Sequence, residues 1–170
     1  MTTIAQTVDV QTDYDVNADV ENQYLTFILS DEEYGVDILR VQEIRGWESV
    51  TSVPNAPDYL KGVINIRGTI VPIVDLRMRF GMEQLEYGPI TVVIVLKVIG
   101  ENRERVMGIV VDTVSDTYDV PEDSIKPAPD FGDKIEVAFV KGLATVNEKM
   151  LILLDIDKLL NSGELNILDQ

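Results

Sequence analysis

Asp75 and Asp155 are the residues whose type and spacing could do chemistry, because each closes an apolar run and precedes an amphipathic stretch. Two such acids facing one cleft would supply a general acid and a base or nucleophile, as in glycoside hydrolysis. The groups that usually accompany such chemistry are missing. The 170 residues include no His and no Cys, so imidazole bases, thiolates, disulfides and the usual zinc ligands are absent. Neither GxxxxGK[ST] nor GxGxxG occurs, and no G-x-S-x-G elbow presents a serine. The capping role of an acid at a strand-to-helix junction outweighs catalysis for Asp75 and Asp155. Asp112, after the apolar stretch 108–111, reads as a turn residue. No enzyme, cofactor or metal site is expected.

Charge narrows the partners. A formal net charge of −16 argues against nucleic acid and against docking on anionic lipid, both of which call for Lys and Arg. Asp9, Asp13, Asp15, Asp19 and Glu21 crowd the start of the chain with no intervening base, at spacings unlike a calcium loop. No secretory leader is legible in the first residues, and the apolar stretch 90–96 is far shorter than the ~20 residues of a spanning helix. A soluble, cytoplasmic protein without membrane insertion is expected.

The elements that position these residues come twice. KGVINIRGTIVPIVDLRMRF (61–80) aligns without a gap to KGLATVNEKMLILLDIDKLL (141–160), and 34–44 aligns more loosely to 107–117. The larger offset of the first pair places extra loop in the second copy, between residues 117 and 141. In the first copy, alternation predicts strands over 24–29, 34–37, 42–47, 62–66 and 70–74. Gly68 is available for the positive φ of a hairpin turn, and Asp75 caps a short helix over 76–80. The second copy predicts strands near 90–98, 105–111, 113–119, 137–146 and 149–154, with Asp155 capping a helix to residue 160. Five short strands per copy suit a small closed barrel. The expected architecture is all-β: two five-stranded barrels of about 23–85 and 86–161, packed together, with strands able to cross between them. A disordered acidic tail (1–22) precedes the fold and a C-terminal tail (162–170) follows it.

Without catalysis, function falls to surface residues. Arg67 sits in a hairpin turn, where it is either a solvated charge or a bidentate donor to a partner. Its counterpart in the second copy is Asn147, so the repeated fold does not require arginine there. By strand period, one of Val41 and Ile44 belongs to the core and the other to an apolar patch beside Arg67. Val114 occupies the place of Val41 in the second copy, and the two either line a groove between the barrels or fill the core. In the extra loop, Ile125 reads as core and Phe131 as an exposed anchor or a lid over the barrel end.

YLTFILSDEEYGVDILRVQEIRG (24–46), NAPDYLKGVINIRGTIVPIVDLRMRF (55–80), MGIVVDTVSD (107–116) and IKPAPDF (125–131) closely resemble the CheW family of chemotaxis coupling proteins. The resemblance runs from about residue 24 to 161. It implies SH3-like barrels and an adaptor that couples the cytoplasmic tip of transmembrane chemoreceptors to the regulatory domain of the histidine kinase CheA, with other copies of the adaptor as ring partners. It also implies a place at the inner face of the membrane, through receptor arrays. Carried over by motif, receptor contact falls on Val41, Glu43, Gly62, Arg67 and Val114, and kinase or ring contact on Lys126, Asp130 and Phe131. Where relatives carry leucine before R-G, this chain has Ile66, which preserves burial. An adaptor of the same kind serving surface motility or gene regulation is the alternative.

Overall fold

The computed structural model describes residues 22–129 and 136–161. The acidic N-terminal and C-terminal tails, apart from Asn22, and the loop residues Asp130 and Phe131 lie outside these limits. The strands are β1 (Gln23–Leu29), β2 (Glu32–Asp37), β3 (Val41–Gly46), β4 (Leu60–Ile66), β5 (Thr69–Asp75), β6 (Val92–Ile99), β7 (Glu104–Val111), β8 (Thr113–Asp119), β9 (Val140–Val146) and β10 (Lys149–Leu154). One-turn helices α1 (Leu76–Arg79) and α2 (Ile156–Leu160) follow β5 and β10. Both expected caps are present. The Asp75 carboxylate accepts from the Met78 N–H at 3.2 Å, and that of Asp155 accepts from the Lys158 N–H at 3.1 Å.

Among the described residues, three hairpins turn through paired left-handed residues: Ser30–Asp31, Arg67–Gly68 and Asn147–Glu148. Two consecutive positive-φ residues make the tight turn whose twist matches that of the flanking strands.

The all-β expectation of two SH3-like five-stranded units holds, but the units do not divide near residue 85. One sheet has the order β8-β1-β2-β10-β9 and the other β3-β6-β7-β5-β4. Each copy therefore keeps its first two strands in one barrel and sends its last three to the other. The exchange is sealed by two equivalent parallel pairings, β2 with β10 and β7 with β5. The expectation allowed strands to cross between the barrels, but alternation marks strands without naming their neighbours, so which strands cross was not legible.

Each sheet closes on itself through the chain that leaves its third strand. After β3, Thr51 exchanges backbone hydrogen bonds with Val63 on β4; after β8, Lys126 does the same with Leu143 on β9. These closures explain the repeated Lys-Gly. A Cβ on Gly62, whose φ is +147°, would stand 2.3 Å from the Thr51 carbonyl oxygen. One on Gly142 would stand 2.4 Å from an Ile125 methyl and 2.7 Å from the Lys126 carbonyl oxygen. Only glycine allows that approach.

Among the described residues, three apolar clusters form the core. Tyr24, Val120, Ala144, Leu151 and Leu153 fill the first barrel, with Ile125 half-buried against them as expected. Ile64, Ile66, Val71, Ile73, Val93, Val95 and Val110 fill the second. The largest lies between the barrels and draws on both sheets and both helices, including Phe27, Tyr34, Leu76, Phe80, Leu96, Met107 and Leu159. β1 and β6 are buried on both faces because one face fills a barrel and the other this shared layer. Asp75 and Asp155 end strands of different barrels, so they do not form a cooperating pair.

Candidate partner-binding site

The mouth of the second barrel is built by the turn after β4 and by the outer strand β3. β3 is an edge strand whose half-buried and exposed residues alternate, with a register shift between Val41 and Glu43 against β6. That irregularity lets Val41 pack against the cluster between the barrels while Glu43 and Arg45 lie half-buried further along. Ile44 remains exposed, as does Ile70 beside the β4–β5 turn. Of the pair Val41 and Ile44, Val41 is the one that packs inward.

Arg67 projects from the turn with 77% of its side chain accessible and donates to Glu43 at 3.1 Å. Glu43 also accepts from Arg45 at 3.1 Å, and Arg45 in turn reaches Glu48 at 2.7 Å. The four charges form a chain along the open seam between β3 and β4, the two edges of the sheet. The hydrogen bond from Arg67 holds the Glu43 carboxyl below its ordinary range, outweighing desolvation, with Arg45 adding to the effect. Gln42, Ile66, Thr69, Val71, Val95 and Val106 complete a mouth of about 270 Å³ beside Arg67.

Arg67 has φ of 50°, a conformation that asparagine tolerates better than arginine. Asn147 holds the same conformation in the first barrel. The fold therefore favours the residue found in the other copy, and arginine brings a side-chain property the turn does not need. The counterpart of Glu43 is Asp116, whose carboxylate accepts from the Thr117 N–H; no ion pair joins it to Asn147.

The structure thus brings Arg67 and Glu43 together, with Val41 two residues away on the same strand. Val114, on β8 of the other barrel, is half-buried against the same inter-barrel cluster as Val41. Gly62 lies toward the far end of β4 from Arg67, and its identity is accounted for by the Thr51 closure. Lys126 is exposed, with its backbone engaged to Leu143.

The partners of several polar residues were not legible in the sequence. Asp112, read as a turn residue, stands between β7 and β8 and also receives Arg77 bidentately at 2.7 and 2.8 Å and the Ser30 N–H at 3.0 Å. Burial raises its carboxyl, but these donors outweigh it and set the group below the ordinary value. Asp157 is lowered in the same way by Arg40 and the Ile99 N–H. The Tyr87 hydroxyl donates to the buried Asp75, and the Tyr87 ring packs on Trp47 with centroids 4.1 Å apart. Burial and that bond push the Tyr87 phenol far up. These partners are 12 to 117 residues apart, and no local pattern announces them. No group of three or more potential metal ligands is found among the described residues.

A family model described as a CheW-like domain matches residues 23–164. The chain is 49% identical over 150 residues to the chemotaxis protein CheW of Klebsiella aerogenes, covering 88% of each chain. It is 39% identical over 142 residues to the chemotaxis protein CheW of Rhizobium meliloti, covering 84% of this chain and 89% of that one. Among solved structures, the crystal structure of the scaffolding protein TtCheW from Thermoanaerobacter tengcongensis superposes with a TM-score of 0.74 at 32% identity, over 85% of this chain and 90% of that one.

Proposed function

The chain belongs to the CheW-like domain family, a family of non-catalytic scaffolds of chemotaxis, and we propose that it couples the cytoplasmic tip of a chemoreceptor to the regulatory domain of the histidine kinase CheA. The observation that carries the receptor half is the Arg67–Glu43 pair, a strained and exposed arginine held at the mouth of one barrel and absent from the other. Arg67 is positioned to exchange Glu43 for an acceptor on a receptor helix. Because Arg67 is exposed and Glu43 keeps Arg45 as a second partner, opening the pair costs little. Val41 and Val114 offer apolar contact to the same helix along the groove between the barrels. The kinase half rests on the segment that carries Lys126, exposed in the structure, and, further along the sequence, Asp130 and Phe131. Through its receptors the protein would gather at the inner face of the membrane; among the described residues, no helix is long and apolar enough to cross it.

The test is reconstitution. A soluble receptor cytoplasmic fragment and the kinase should both be retained by the immobilised protein, and kinase activity should come under receptor control when all three are mixed. Retention of neither partner would overturn the reading.

A further inference from the structure

The two barrel mouths are related by the internal repeat, yet their charged residues differ. In the second barrel the mouth carries Arg67 at its rim and Val106 in its wall. The residue equivalent to Val106 in the first barrel is Glu33, one position before the aligned segments that start at 34 and 107. Glu33 lies on β2 opposite Ile28 on one side and the fully buried Leu151 on the other. The residue retains 7% of its accessible surface, and its Oε2 is buried without a hydrogen-bond partner. Among the described residues it makes no ion pair, although Lys149 lies two residues before Leu151 on β10. The two turns and the strand start at this end of the parallel β2–β10 pair add Asp31, Glu148 and Glu32, all exposed, against one exposed cation, Lys149.

A buried carboxylate oxygen with no donor costs free energy, more than a neutral polar group would. The sister barrel shows that valine satisfies the fold at this place. From these observations we propose that the mouth of the first barrel is a second binding site, which accepts a cationic side chain of a partner protein with Glu33 as its anchor. Desolvation between Ile28 and Leu151 strengthens the attraction, and the acidic turns draw the cation toward the mouth. The site is independent of Arg67 and of the receptor reading.

The probes are N-acetyl-arginine methylamide and N-acetyl-lysine methylamide, with the neutral N-acetyl-norleucine methylamide as control. Each is titrated into the full chain while backbone amide resonances are followed. The cationic probes should produce saturable shifts at residues 28, 33 and 151 in about the millimolar range, as befits one charged contact. Glu33→Gln should abolish those shifts, and a guanidinium or ammonium preference tells which cation the partner bears. Glu33→Val should leave the fold intact with a thermal midpoint equal to or above that of the parent chain. Shifts no larger than those from norleucine, or unchanged by Glu33→Gln, would overturn the proposal. So would a lowered midpoint in both Glu33→Val and Glu33→Gln, since the carboxylate would then belong to the fold.

Discussion

Arg67 donates to Glu43 at 3.1 Å across the open seam of the second barrel, whereas their counterparts Asn147 and Asp116 make no such pair in the first. Both turns share the same left-handed backbone, so the difference lies in the side chains alone. A fold used twice supplies its own control. Where the copies agree, as at Gly62 and Gly142 or at Asp75 and Asp155, the fold explains the residue; where they differ, it does not.

The exchange of strands predicts how the chain fails when cut. Fragments 22–85 and 86–161 each contain five strands but lack the neighbours of those strands, and each leaves its share of the inter-barrel cluster open to water. Circular dichroism should show neither fragment folded alone, and an equimolar mixture should recover sheet structure. A fragment that folds cooperatively by itself would contradict the topology.

Gly62→Ala should damage stability first. The added methyl meets the Thr51 carbonyl and sits at a φ that L-residues avoid. A loss of about 2–3 kcal/mol is expected from crowding and strain. In a chain of this size that corresponds to roughly 4–12 °C in the thermal midpoint. Gly142→Ala should behave alike. Any weakening of partner binding in Gly62→Ala should track this loss.

Tyr87→Phe isolates one hydrogen bond. It leaves the buried Asp75 carboxylate without its hydroxyl donor while the helix cap to Met78 stays in place. The expected cost is about 1–3 kcal/mol, read by denaturant unfolding. An unchanged midpoint would show that solvent replaces the hydroxyl.

Acid should weaken the fold through Asp112 and Asp157. Both carboxyls are lowered in the folded chain, so the unfolded chain binds protons first as pH falls. Their contribution is complete above the ordinary carboxylate value of about 4 and is lost as pH drops through the lower folded values. Asp112→Asn should therefore be less stable than the parent at pH 7 and should lose less on going from about pH 5 to pH 2. Equal slopes would remove Asp112 from the account.

Much of this was legible in the sequence. The hairpins around Gly68 and Asn147, the caps at Asp75 and Asp155 and the asymmetry of Arg67 against Asn147 are local patterns, set by turn chemistry and by alternation. The sheet order was not, because Leu25, Phe27 and Leu29 show the same period whether they face a barrel or the layer between barrels. Nor was Glu33 visible as unusual, since a Glu beside a polar turn reads as solvated until its strand acquires Leu151 as a neighbour. Glu43 was placed near the receptor by resemblance, but its hold on Arg67 needed the seam between β3 and β4 to be seen.

The most direct test of the central claim is a titration of a receptor cytoplasmic fragment into the parent chain and into Arg67→Asn, the residue that the first barrel uses. The account predicts at least a tenfold loss of affinity, about 1.4 kcal/mol, with a thermal midpoint within about 2 °C of the parent or above it, because asparagine suits the turn. Unchanged affinity in a folded Arg67→Asn chain would contradict it.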